Sequence, residues 1–190
     1  MFIQTEVTPN PATLKFLPGR VVVESGTEEF STMEEAEARS PLAAKLMAIP
    51  DVSGVFFGYD FVTVTKRAAE WQHLKPAILA SLMEHFMSGE PVMAGAGAPA
   101  ASGGEEFFEA SDEKTVATIK ELLETRVRPA VAQDGGDITF RGFKDGTVYL
   151  NMRGACAGCP SSTATLKHGI QNLLRHFVPE VESVEAVEAA

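Results

Sequence analysis

Cysteine is scarce in this 190-residue chain: there are only two, Cys156 and Cys159, separated by two residues. A secreted scaffold stapled by disulfides would spread several cysteines along its length, so one close pair points instead to metal ligation or thiol redox chemistry in a reducing compartment. Positive charge is also scant. Sixteen Lys and Arg stand against 26 Asp and Glu, giving a formal charge of -10, and the longest cationic runs are pairs such as Lys66-Arg67. Nothing in the chain as a whole therefore invites a nucleic acid. No stretch approaches 18 uninterrupted apolar residues, which excludes a membrane-spanning helix. The opening MFIQTEVTPNP lacks the basic segment and apolar run of a secretory signal, so the expected setting is the cytoplasm, or an organelle matrix if an import sequence has been removed.

What is present suffices for a folded protein. Hydrophobic residues make up 45% and charged residues 22% of the sequence, an ordinary globular balance. Between Ser88 and Gly104 the chain reads SGEPVMAGAGAPAASGG, which has one charge and no periodic apolar face. Such a run has little to bury and reads as a flexible linker. It divides the chain into a first domain over residues 1–87 and a second over 111–187, with 88–110 between them. Phe107 and Phe108 at the end of this linker are expected to anchor it locally, or else to mark a contact site.

The first domain reads as a small α+β unit with a largely antiparallel sheet and helices on one side. Phe2 to Val7 alternates as a strand. Leu14 to Leu17 and Val21 to Val23 flank Pro18-Gly19-Arg20, which predicts a hairpin. Ser40 and Pro41 suit the cap and first position of a helix running to Met47. A second hairpin is expected from Val52 to Phe57 and Phe61 to Thr65. Trp71, Leu74, Ile78, Leu82 and Phe86 recur on one face of a closing helix, in which Pro76 bends the chain or marks the true start.

The second domain is predicted as α-β-β-α-β, a three-stranded sheet with two helices packed on one face, so the whole chain falls in the α+β class. Asp112 is placed to cap a helix with an apolar stripe of Val116, Ile119, Leu122, Leu123 and Val127, and Pro129 follows near its end. Asp137 to Gly142 and Thr147 to Met152 are strands joined through Asp145-Gly146, a strong hairpin signal. Ser161 or Ser162 would cap a second helix carrying Leu166, Ile170, Leu173 and Leu174, and Val181 to Val187 supplies the last strand.

Chemistry concentrates in Gly154-Ala155-Cys156-Ala157-Gly158-Cys159-Pro160-Ser161-Ser162. Two cysteines three positions apart can direct both sulfurs at one metal, and Gly158 relieves crowding between them. A position after a strand and before a helix is expected to favour thiolates over thiols. As a bare dithiol the pair admits a metal or cluster site, a thioredoxin-like redox pair, or an incidental pair. Pro160 follows the second cysteine instead of lying between the two, and the pair stands late in its domain, which lowers the redox reading. A [4Fe–4S] cluster or an all-sulfur zinc site wants four ligands, and the chain offers two. The expectation is a site shared by two copies, each giving Cys156 and Cys159.

Other candidates are weaker. Asp134-Gly135-Gly136-Asp137 reads more simply as a turn into a strand than as an acidic metal loop. His73, His85, His168 and His176 lack the four-residue spacing of a helical metal site. Lys167 and Arg153 flank the cysteine loop and are expected to be exposed solubilising residues, with contact to a cluster or an acidic target as the other possibility.

Taken with its surroundings, the loop is more specific than CxxC. Residues 111–187 resemble the C-terminal domain of the NifU family, known as Nfu, through Asp134-Gly135-Gly136-Asp137, the hairpin, Gly154-x-Cys156-x-Gly158-Cys159-Pro160-Ser161-Ser162 and Thr165-Leu166-Lys167-x-Gly169-Ile170. Residues 1–87 are similar to the companion N-terminal domain through Thr8-Pro9-Asn10-Pro11, Leu14-Lys15-Phe16, Ser40-Pro41-Leu42-Ala43, Asp60-Phe61-Val62-Thr63-Val64 and Trp71-x-x-Leu74-Lys75-Pro76. The resemblance implies a non-enzymatic carrier that holds a [4Fe–4S] cluster on Cys156 and Cys159 of two subunits. It implies an upstream cluster-assembly scaffold as donor and apo iron–sulfur proteins as recipients; the charge and hydropathy already set aside nucleic acid and membrane as partners. The alternative is a zinc-binding or thiol redox module using the same two cysteines.

Overall fold

The computed structural model describes residues 1–95, 105–157 and 160–187, without the side chains of 160–162. The chain divides into two compact units, Met1–Ala100 and Ala101–Ala190.

The first unit is built on a five-stranded antiparallel sheet. Its strands are β1 (Gln4–Val7), β2 (Thr13–Leu17), β3 (Glu28–Phe30), β4 (Val52–Phe57) and β5 (Val62–Lys66), in the spatial order β1-β2-β5-β4-β3. The β4–β5 hairpin stands where the sequence puts it, with Val55 opposite Val64 and Phe57 opposite Val62. The hairpin expected from Pro18-Gly19-Arg20 does not form. Gly19 turns the chain at φ +72°, and Val22 then donates to the Tyr59 carbonyl (2.7 Å) from a loop, with Val22 and Val23 buried. Three β-branched residues read as a strand, but Val22 and Val23 are buried from a tucked loop and Val21 is exposed; β2 pairs with β1 and β5 instead.

Two elements of this unit were not expected. Strand β3 is only three residues long, and it is followed by helix α1 (Met33–Arg39). The signal for α1 was present in Thr32-x-x-Glu35: the Thr32 hydroxyl accepts from Glu35 N, and the Glu35 carboxylate reaches back to Ser31 N (3.2 Å each). Helix α2 (Pro41–Met47) begins as read, with Ser40 Oγ accepting from Ala43 N at 3.0 Å and Pro41 in the first turn. Helix α3 (Trp71–Ser88) starts at Trp71, so Pro76 lies inside it, and Gly89 ends it in the left-handed conformation. Phe16, Phe30, Phe57, Leu42, Leu46, Ile78 and Leu82 form the fully enclosed centre.

The second unit has the α-β-β-α-β order. Helices α4 (Glu113–Leu122) and α5 (Arg128–Gln133) are joined by a π turn over Leu123–Val127 and run on past Pro129, which sits in the first turn of α5. The proline was expected near the helix end. It is tolerated there because a first-turn residue needs no backbone donor. Asp112 precedes α4 but makes no side-chain cap bond.

Strands β6 (Gly136–Lys144) and β7 (Thr147–Gly154) form the hairpin. Asp145 and Gly146 both have positive φ (49° and 75°), the signature of a two-residue turn whose twist suits the strands. Helix α6 (Pro160–Phe177) then crosses back to β8 (Ser183–Val187), which pairs parallel with β7, as a connection through a helix permits. The helix starts at Pro160, so Ser161 and Ser162 lie within its first turn and neither is its cap. Ile119, Leu123, Ile138, Leu150, Leu174 and Val184 lie in the core between helices and sheet.

The segment read as a linker is attached at both described ends. Val92 and Met93 pack on the first unit's core, where Ser40 Oγ donates to the Val92 carbonyl and Ala94 N to the Arg39 carbonyl. In the second unit Phe107 bridges β6 at its bulge, donating to Arg141 O (3.2 Å) and accepting from Phe143 N (2.9 Å). Its ring covers Gly142 and meets Tyr149 at 5.1 Å, while Phe108 meets Phe140 at 6.5 Å. Phe107 thus ties the chain entering this unit to β6, while both phenylalanines stay exposed at about 40%.

Candidate thiolate site

Two backbone segments meet at one end of the second sheet. The end of α5 closes through Asp134 N to Val131 O and Gly135 N to Ala132 O (3.1 Å each). Gly135, at φ +81°, then turns the chain into β6. From β7, Gly154 at φ +63° bends the strand into the cysteine loop, and Ala155 N donates back to Gly135 O at 3.2 Å. Gly136 and Gly154 face each other across the hairpin. The space at Gly136 is fully used: a Cβ there would lie 2.7 Å from Arg153 O and 2.7 Å from Cys156 Sγ.

Cys156 is therefore held beneath the 134–137 turn. Only 7% of its surface is exposed, and it counts among the apolar core of the unit. Thr163 Oγ1, one turn into α6, donates to the Cys156 carbonyl at 3.0 Å. Burial first, then the negative charges of Asp134 and Asp137, push the thiol's pKa up to about 12. The expectation that this position favours thiolate is thus corrected for Cys156: desolvation beside two carboxylates outweighs the nearby helix end. Cys159 and Gly158 lie outside the described residues.

Asp137 accounts for the rigidity of the turn. Its carboxylate is almost fully buried, with Oδ1 accepting from Ile138 N at 2.8 Å. Arg128 at the start of α5 grips both oxygens, Nε to Oδ1 and Nη2 to Oδ2, each at 2.9 Å, and also pairs with Glu124. Such two-point geometry is what a guanidinium does and an ammonium cannot. No sequence signal marked Arg128, because its partner lies nine residues on, across a helix end and a turn.

The other candidates have ordinary roles. Lys167 is half-buried and pairs with Glu185 at 2.6 Å. Arg153 was expected to be exposed, yet it is 8% exposed and its Nε has no hydrogen-bond partner among the described residues, because the β-strand register places it beside the cysteine loop opposite Asp137. His85 is enclosed in the first unit against Phe86. Among the described residues no three His, Cys, Asp or Glu side chains gather as a metal site. No helix is long and apolar enough among them to cross a membrane.

The architecture is that of a two-unit α+β protein with Cys156 at one end of the sheet of the second unit. The domain description "Scaffold protein Nfu/NifU N terminal" matches residues 3–89, and "NifU-like domain" matches residues 119–185. The human protein "NFU1 iron-sulfur cluster scaffold homolog, mitochondrial" is 51% identical over 189 residues, covering 98% of this chain and 72% of that protein. The Arabidopsis thaliana "NifU-like protein 4, mitochondrial" is 51% identical over 188 residues, covering 97% of this chain and 65% of that protein. The chain thus spans about two thirds to three quarters of the length of these relatives. A solution structure of a NifU-like protein from Saccharomyces cerevisiae matches with 28% identity and a TM-score of 0.45, over 50% of this chain and 86% of that one. The chain belongs to the Nfu/NifU family of iron–sulfur cluster scaffold proteins, with an N-terminal Nfu domain and a C-terminal NifU-like domain.

Proposed function

We propose that the protein carries a [4Fe–4S] cluster between two copies of itself, each contributing Cys156 and Cys159, and passes it to apo iron–sulfur proteins. The observation that carries this reading is a count: the family's NifU-like domain is present, and the chain has two cysteines for a cargo that wants four thiolates. The cluster is cargo, received from an upstream assembly scaffold and given up, and the chain is a carrier without a turnover substrate. Residues 1–87 recognise partners, 88–110 link, and 111–187 bind the cluster. The two relatives described above carry "mitochondrial" in their names, which supports an organelle matrix over a bacterial cytoplasm as the setting.

The match to the NifU-like domain favours the carrier over a thiol redox module. Transfer is the test. Anaerobically reconstituted protein, mixed with an apo-enzyme that requires a [4Fe–4S] cluster, should lose its visible absorption as the enzyme gains activity, and Cys156→Ser and Cys159→Ser should supply nothing. A colourless, zinc-loaded preparation that activates no recipient would move the reading to a structural module.

A further inference from the structure

A sulfur that binds a cluster shared by two chains has to reach atoms outside its own chain, whereas Cys156 is packed inward beneath Gly136. On the carrier reading, Cys156 Sγ therefore has to leave this position when a cluster is bound. What holds it there is the seating of the 134–137 turn. Its backbone meets the loop through Ala155 N and Gly135 O, and Gly136 leaves room for the sulfur and nothing more. That turn is fixed to α5 by the two parallel bonds from Arg128 to Asp137. The π turn before α5 matters here, because Arg128 N bonds Leu123 O and the widened turn shifts the helix register just where the guanidinium faces β6.

We propose that Arg128 is a positioning residue of the thiolate site: by clamping Asp137 it keeps Cys156 sheathed in the empty chain, so that loading begins with withdrawal of the sulfur from the Gly136 cradle. The purpose of the sheath rests on the carrier reading, whereas the burial of the sulfur beneath Gly136 is a feature of the fold. An empty carrier built this way withholds one of its two ligands from stray metals and oxidants, and a partner that loosens the 134–137 turn makes it receptive.

The test is the rate of carbamidomethylation of Cys156 in the full, metal-free, reduced chain, with fragment mass spectrometry separating it from Cys159 on the same peptide. Cys156 should react at least about tenfold more slowly than in the urea-unfolded chain at the same pH, as for a group exposed only by local opening. Arg128→Gln should remove most of that protection, and Arg128→Lys should not restore it, since one ammonium cannot make the two-point grip. The accelerated labelling should stay independent of urea below the unfolding transition; labelling that climbs with urea would mark mere destabilisation and overturn the positioning role. If Arg128→Gln does not fold, Asp137→Asn removes the charge at constant shape and should give the same acceleration. Native Cys156 reacting as fast as in the unfolded chain, or clamp variants as protected as the parent, would overturn the proposal. Iron uptake measured in parallel keeps the two ideas apart: no sheath with normal cluster binding sinks this inference alone, and a sheath with no cluster binding sinks the carrier.

Discussion

The same substitution, glycine to alanine, should act with opposite sign at two places in the second unit. At Gly136 the new Cβ meets the Arg153 carbonyl and Cys156 Sγ, both at 2.7 Å, closer than atoms tolerate. The carbonyl is part of a paired hairpin and cannot swing aside, so the strain falls on the sulfur and the turn. Overpacking of this kind costs about 1–3 kcal/mol. For a unit of this size that lowers the midpoint by roughly 5–20 °C. At Gly169, exposed on α6, a Cβ meets nothing within 4 Å. Alanine there should add about 0.5–1 kcal/mol by restricting the unfolded chain and favouring helix. Calorimetry of the full chain reads both. The chain's one tryptophan, Trp71, lies in the first unit, so fluorescence identifies that unit's transition, which neither substitution should move. A Gly136→Ala variant as stable as the parent, with Cys156 labelled as slowly, would refute the tight seating of the sulfur.

Further outcomes follow from the first unit. Ser40 is fully buried, caps α2 through Ala43 N and holds the Val92 carbonyl; Ser40→Ala should cost about 2 kcal/mol in urea unfolding followed by Trp71 fluorescence. His85 is enclosed, with Lys45 near it and Glu90 Oε2 3.6 Å from Nδ1. Burial and then Lys45 hold its pKa below 6.5, with Glu90 opposing them. The unfolded chain therefore binds the proton first as pH falls, and stability is lost below about pH 6.5, by at most about 1.4 kcal/mol per unit until the folded pKa is passed. Subtracting a His85→Leu profile should isolate that slope; parallel profiles would contradict it. Gly142→Ala drives a Cβ into the Phe107 ring at 2.5 Å, so it should release the 105–109 segment and speed proteolysis there while leaving the β6–β7 hairpin formed.

Legibility in the sequence tracked how local the determinants were. The Asp145-Gly146 turn, the Ser40-Pro41 helix start and the α-β-β-α-β order each rest on residues adjacent in the chain, and each appears in the structure. Val21 to Val23 misled because β-branched composition reports burial as readily as strand, and the loop's acceptor, the Tyr59 carbonyl, is remote in sequence. Helix α1 is marked locally only by the reciprocal bonds of Thr32 and Glu35 at its start, since its one buried residue, Ala36, gives no apolar stripe. Pro129 shows a general rule yielding to position, since a π turn reset the helix and placed the proline where its missing donor costs nothing. At the candidate site, the place of Cys156 between a strand and a helix was legible, but its sheathing was not. That depends on a three-dimensional meeting of Gly136, Asp137 and Arg128, and no pattern of neighbours encodes it.

The central claim is tested most directly by native mass spectrometry of the anaerobically reconstituted full chain. The account expects a dimer carrying one group of four irons and four sulfides, falling to cluster-free monomers when a chelator removes the iron, and no such species from Cys156→Ser. A cluster bound at full occupancy by a single chain, or a dimer unchanged by loss of both the iron and Cys156, would contradict it.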